Sequence, residues 1–78
     1  MTGNKRPTVP MTVVRNQLIE LTNKALGRDV SFISAYIAFR RRDSEPNWNA
    51  TLSIQALDIL DALDKVVRFT QERFNIAW

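Results

Sequence analysis

The chain has no cysteine and no histidine, and only two of its 78 residues are glycine. Without cysteine, neither a disulfide nor a thiolate metal site can support a domain this small, so packing has to hold it together. The lack of histidine removes the usual general base near neutral pH, and the lack of cysteine removes the most reactive nucleophile. Glycine at only Gly3 and Gly27 leaves no Gly-rich loop to cradle a phosphate. Apolar runs stay far below the roughly 20 residues needed to cross a bilayer. Met1–Pro10 carry a basic pair with no apolar stretch after it, so a secretory signal is not expected and a cytoplasmic protein is. Neither an enzyme nor a cofactor, metal or membrane protein is expected from this inventory.

What the chain does have is an ordinary globular balance, 45% apolar and 24% charged residues, within the length of one domain. Its charge is unevenly spread. Residues 1–42 hold eight basic side chains against two acidic ones, a net +6; residues 43–78 hold three against six, a net −3. Two halves of opposite sign suit either an acidic partner such as nucleic acid or attraction between copies or halves of the fold.

Residues 1–10 are polar, contain two prolines and lack periodicity, and are read as a mobile tail ahead of a single domain at 11–78. From Thr12, Val14, Leu18, Leu21 and Ala25 recur at helical spacing, with Gly27 placed to cap the end. Glu20 and Lys24 are spaced as an exposed ion pair. Further on, Trp48, Ala50, Leu52 and Ile54 alternate with Asn49, Thr51, Ser53 and Gln55, the pattern of a strand with one buried face.

That strand resolves the ambiguous stretch Val30–Phe39 as its antiparallel partner. Placing Phe39 opposite Trp48, Ile37 opposite Ala50, Ala35 opposite Leu52 and Ile33 opposite Ile54 puts large side chains against small ones on the inner face. The outer face then pairs Arg40 with Asn47, Ala38 with Asn49 and Tyr36 with Thr51. Arg41–Pro46 become a wet connection with turn-forming Asp43, Ser44 and Pro46. The last segment is a helix with Ile59, Leu60, Leu63, Val66, Val67, Thr70 and Phe74 on one stripe. Its aspartates lie early and its basic residues late, which complements the helix dipole. Asp61 with Lys65 and Asp64 with Arg68 are spaced to pair, and Ile76–Trp78 remain as an apolar tail. The expected fold class is α+β, a two-layer α-β-β-α arrangement with an antiparallel hairpin under two helices.

The stretch AYIAFRRRDSEPNWNATL also resembles small bacterial proteins with no assigned activity. In these an arginine-bearing strand, a polar turn, a Pro-Asn-Trp element and a final helix follow in that order. The resemblance spans Ser34–Phe74 at most and rests on Arg40, Pro46, Asn47 and Trp48. It implies the hairpin and brings no catalytic residue.

A two-stranded sheet leaves both edges open, and no central proline or lysine guards either strand. A homodimer joined strand to strand is therefore expected. The candidate interaction surface is Tyr36, Ala38, Arg40, Arg41, Arg42, Asn49 and Thr51, facing a second copy and an unidentified protein partner. Sequence-independent nucleic-acid binding through Arg40–Arg42 is the alternative, opposed by the nearby Asp43 and Glu45 and by the acidic start of the last helix. Asp58, Asp61 and Asp64 recur at steps of three, which drifts around a helix and suits a solvated face better than a cation site. The Asn49-Ala50-Thr51 triplet matches a glycosylation acceptor but is accounted for by strand alternation.

Overall fold

The computed structural model describes residues 6–78. In chain order they form β1 (Thr8–Pro10), α1 (Met11–Leu26), a 3₁₀ helix (Ser31–Tyr36), β2 (Ile37–Arg41), β3 (Trp48–Leu52), α2 (Leu57–Gln71) and β4 (Asn75–Ala77). The α+β class is as expected, with two helices and the antiparallel β2–β3 hairpin. A second, parallel pair joins β1 to β4, setting Val9 beside Ile76. Thus Thr8–Pro10, read from the sequence as part of a tail, is a strand, and so is most of the apolar C-terminal segment. Parallel pairing explains the miss: its two strands lie at opposite ends of the chain, and three residues are too few to display a period. Residues 1–5 of the expected tail lie outside the described residues.

Val14, Leu18 and Thr22 turn one side of α1 inward. The buried Thr22 hydroxyl donates to the Leu18 carbonyl at 2.6 Å, so its polar atom is satisfied inside its own helix. Gly27 ends α1 at φ 67°, a conformation that costs glycine nothing. Its N–H reaches the Lys24 carbonyl and that of Arg28 the Asn23 carbonyl. Glu20 and Lys24 do not form the expected ion pair among the described residues. In α2, Ile59, Ala62, Leu63, Val66, Val67 and Thr70 are buried. Leu60, assigned to the stripe from its spacing, is instead exposed, because Ala62 on the other flank faces α1's side of the core. The pairs Asp61–Lys65 (3.6 Å) and Asp64–Arg68 (3.1 Å) do form.

The hairpin differs from expectation in register. Arg41 lies opposite Trp48, Phe39 opposite Ala50 and Ile37 opposite Leu52, a shift of two residues. A two-residue shift preserves which side chains face the core, so the alternation could not exclude it. Residues 31–36 decide it by coiling into a 3₁₀ helix instead of extending. Asp29 accepts from the Ser31 N–H and hydroxyl, while Asn23 Oδ1 accepts the Val30 N–H at 2.7 Å. These side chains bend the backbone at the start of the segment and still deliver Ile33 to the core. Trp48 is fully buried, its ring 5.9 Å from that of Phe39, the diagonal neighbour in the observed register.

Candidate functional site

The hairpin offers two surfaces, an open face and an open edge. The Arg42 N–H donates to the Asn47 carbonyl and the Ser53 N–H to the Tyr36 carbonyl, both at 2.9 Å. Because antiparallel pairs alternate, the hydrogen-bonded pairs are 36·53, 38·51, 40·49 and 42·47. The backbone groups of Ile37, Phe39 and Arg41 therefore point away from β3. The Ile37 N–H closes the last turn of the 3₁₀ helix, while among the described residues nothing beyond the hairpin bonds the Ile37 carbonyl or the backbone groups of Phe39 and Arg41. The far edge of β3 is different. Gln71 of α2 donates to the Trp48 carbonyl at 2.8 Å, and the Ala50 N–H is held by the Asn49 side chain at 2.8 Å. One edge of the hairpin is thus partly covered by a helix and the other is bare.

Ala38, Arg40, Asn49 and Thr51 are all exposed and line a shallow depression on the open face. These four candidate residues are brought together as Ala38–Thr51 and Arg40–Asn49 pairs, not the expected Ala38–Asn49 and Arg40–Asn47. Tyr36, expected in the strand opposite Thr51, closes the 3₁₀ helix and is 41% exposed. Arg41, expected in the turn, ends β2 opposite Trp48, on the other side of the sheet from Arg40. Arg42 begins the turn, where its guanidinium donates to the Ser44 hydroxyl at 3.3 Å.

The charge around the arginines is less balanced than the sequence suggests. Glu45 points away from them: it accepts from Arg6 at 2.6 Å and from Asn75 at 3.3 Å. At the start of α2, Asp58 pairs with Arg28. Among the described residues no carboxylate forms an ion pair with Arg40, Arg41 or Arg42. Arg15 reaches the hairpin from α1, its guanidinium 5.3 Å over the Phe39 ring, a cation–π contact on the core side.

A polar staple that sequence reading did not anticipate fixes the base of this turn. The Asn47 amide donates to the Ile76 carbonyl and accepts the Ile76 N–H, both at 2.8 Å, while its own N–H donates to Asn75 at 3.1 Å. The Trp48 indole donates to the Phe74 carbonyl at 2.9 Å, and the Trp78 indole to the Asn47 carbonyl at 3.1 Å. The Pro-Asn-Trp element is thereby tied to β4. Its signal in the sequence was composition alone, an asparagine beside a tryptophan in a polar turn.

Elsewhere, Leu21, Ala25, Leu26, Ala62, Val66 and Phe69 floor a groove between the helices. Its rim carries Lys24, Lys65, Asp58 and Asp61, of which Asp61 pairs with Lys65 and Asp58 with Arg28. Among the described residues no helix is long and apolar enough to cross a membrane. No protein-family model, curated protein or solved structure matches the chain.

Proposed function

We propose that this protein is a non-enzymatic interaction module that pairs with a second copy of itself along β2. The observation that carries this reading is the bare row formed by the Ile37 carbonyl and the backbone groups of Phe39 and Arg41, the kind of edge that recruits another strand.

An antiparallel twofold pairing has few acceptable registers. Centring it on Phe39 joins Phe39 to the partner's Phe39, and Ile37 to the partner's Arg41 and the reverse. Phe39 and Arg41 then hydrogen-bond across the axis, with Ile37 joining through its carbonyl, and Arg40 sits beside the partner's Ala38. Centring on Arg40 would instead bring two guanidinium groups directly opposite each other, which is destabilising. Centring on Ala38 moves Arg41 opposite Ala35, within the 3₁₀ helix, and loses ladder contacts. The Phe39-centred register is the one that uses the whole strand without a charge conflict.

Light scattering at tens of micromolar tests this. The expected mass is that of two chains. Ala38→Arg sets a guanidinium opposite the partner's Arg40 and is expected to give single chains, with Ala38→Arg/Arg40→Glu restoring the pair. Single chains in the unsubstituted protein, or an Ala38→Arg variant that still pairs, would remove the reading.

A further inference from the structure

We infer that the four-stranded sheet made by this pairing binds single-stranded nucleic acid along a row of four arginines; the inference rests on the β2 edge pairing proposed above. In β2, Ala38 and Arg40 alternate onto the open face, and Asn49 and Thr51 accompany them from β3. Exposed Arg42 follows directly, its N–H continuing the ladder to the Asn47 carbonyl at 2.9 Å. No acidic residue occupies these positions, and Glu45 is held by Arg6 and Asn75.

Pairing about Phe39 sets two such faces side by side. Counted along the strands from the twofold axis, Arg40 lies one residue from the centre and Arg42 three, on opposite sides in the two copies. With about 3.4 Å of rise per residue, the four guanidinium-bearing positions follow one another at intervals of about 7 Å over about 20 Å. Neighbouring strands lie about 4.8 Å apart, so the row runs diagonally across the middle of the sheet. Arginine forks suit phosphate oxygens, and Asn49 and Thr51 add neutral donors beside them. Tyr36, exposed at the end of β2, lies in line with the partner's Arg42 and supplies a surface for a base.

This arrangement favours a single strand over a duplex. A flexible strand can lay successive phosphates on a short, nearly flat row, whereas the phosphates of a duplex wind off such a face. It also favours binding without sequence preference, since a twofold row presents the same contacts to a polar strand in either direction and reads no base edge.

The test uses a fluorescein-labelled oligothymidylate, with anisotropy and light scattering measured on the same samples. Four phosphate contacts predict a single-strand salt slope near −3, a loss of about 50-fold in affinity between about 50 and about 200 mM salt. Arg40→Ser/Arg42→Ser is expected to abolish binding at the lower salt and leave the two-chain mass intact. Arg41→Ser, altered on the other side of the sheet, is expected to stay within about threefold of the unsubstituted protein, as expected for a charge outside the contacts. A duplex of the same length and polyglutamate are expected to compete poorly. Two-chain protein that fails to bind at low salt would overturn the inference while leaving the pairing in place. So would equal losses from Arg41→Ser and the double substitution, or equal competition by polyglutamate or duplex. A single-chain mass overturns the inference through the pairing itself, whatever the anisotropy shows.

Discussion

Asn47 does with one side chain what a neighbouring strand does with its backbone. Its amide accepts from and donates to Ile76, whose backbone is otherwise enclosed with only 1% of the residue exposed. Buried backbone groups that lose their partners cost about 1–3 kcal/mol each. Asn47→Ala strands both the N–H and the carbonyl of Ile76 and is expected to destabilise the fold by about 2–4 kcal/mol. Arg40→Ala, a few residues away on the open face, is expected to stay within about 0.5 kcal/mol. Urea denaturation of the two variants measures the contrast, and near-equal midpoints would show that the staple is not holding the turn. Trp48 works in the same place by a different means, with its ring fully in the core and its indole N–H on the Phe74 carbonyl.

Between α1 and β2, the short 3₁₀ helix is set by side chains rather than by hydrophobic period. Asp29 lies at its entrance. The Ser31 hydroxyl, and then the Ser31 backbone N–H, hold its carboxyl below the ordinary value of 3.8. A carboxylate with a lowered folded pKa stabilises the fold above its unfolded value, and that contribution is lost as pH falls through the folded value. The loss is expected below about pH 4, and it is small because the carboxylate is exposed to water. Nuclear magnetic resonance titration of Asp29 is expected to give a midpoint below the ordinary value in the native protein and a higher one in Ser31→Ala, which loses the hydroxyl and keeps the backbone N–H. Identical midpoints would mean that the Ser31 hydroxyl does not hold the carboxylate. The same element explains the register of the hairpin. By coiling six residues, it leaves β2 to start at Ile37, and Trp48 then meets Arg41 instead of Phe39.

At the scale of the whole molecule, the two ends of the chain close the fold together. β1 and β4 pair in parallel, and the Asn75 N–H donates to the Pro7 carbonyl at 2.9 Å. Arg6 adds a link to Glu45, which Asn75 also contacts, so both termini brace the hairpin turn. A chain beginning at Met11 loses the β1 ladder and the cover that half-buried Val9 gives the core. It is expected to be about 2–3 kcal/mol less stable, a fall of about 8–24 °C in Tm for a domain of this size. An unchanged melting temperature would show the parallel pair to be dispensable.

What residues 6–78 owe to sequence alone is what repeats along the chain. The alternation from Trp48 to Leu52 and the helical spacing in α1 and α2 mark most of the side chains that turn inward, with Ala25 and Leu60 exposed against that spacing and Thr22 buried outside it, because burial of each period's apolar face dominates the energy of an amphipathic element. Gly27 likewise marks the end of α1 by its backbone freedom. Tertiary structure decided what has no period: the two-residue register, the pairing of β1 with β4, the staple at Asn47 and the diversion of Glu45 from the arginines. Each depends on a partner tens of residues away or on side-chain hydrogen bonds that local pattern does not carry. The open edge of β2 and the absence of an ion pair to Arg40 or Arg42 among the described residues belong to that second group.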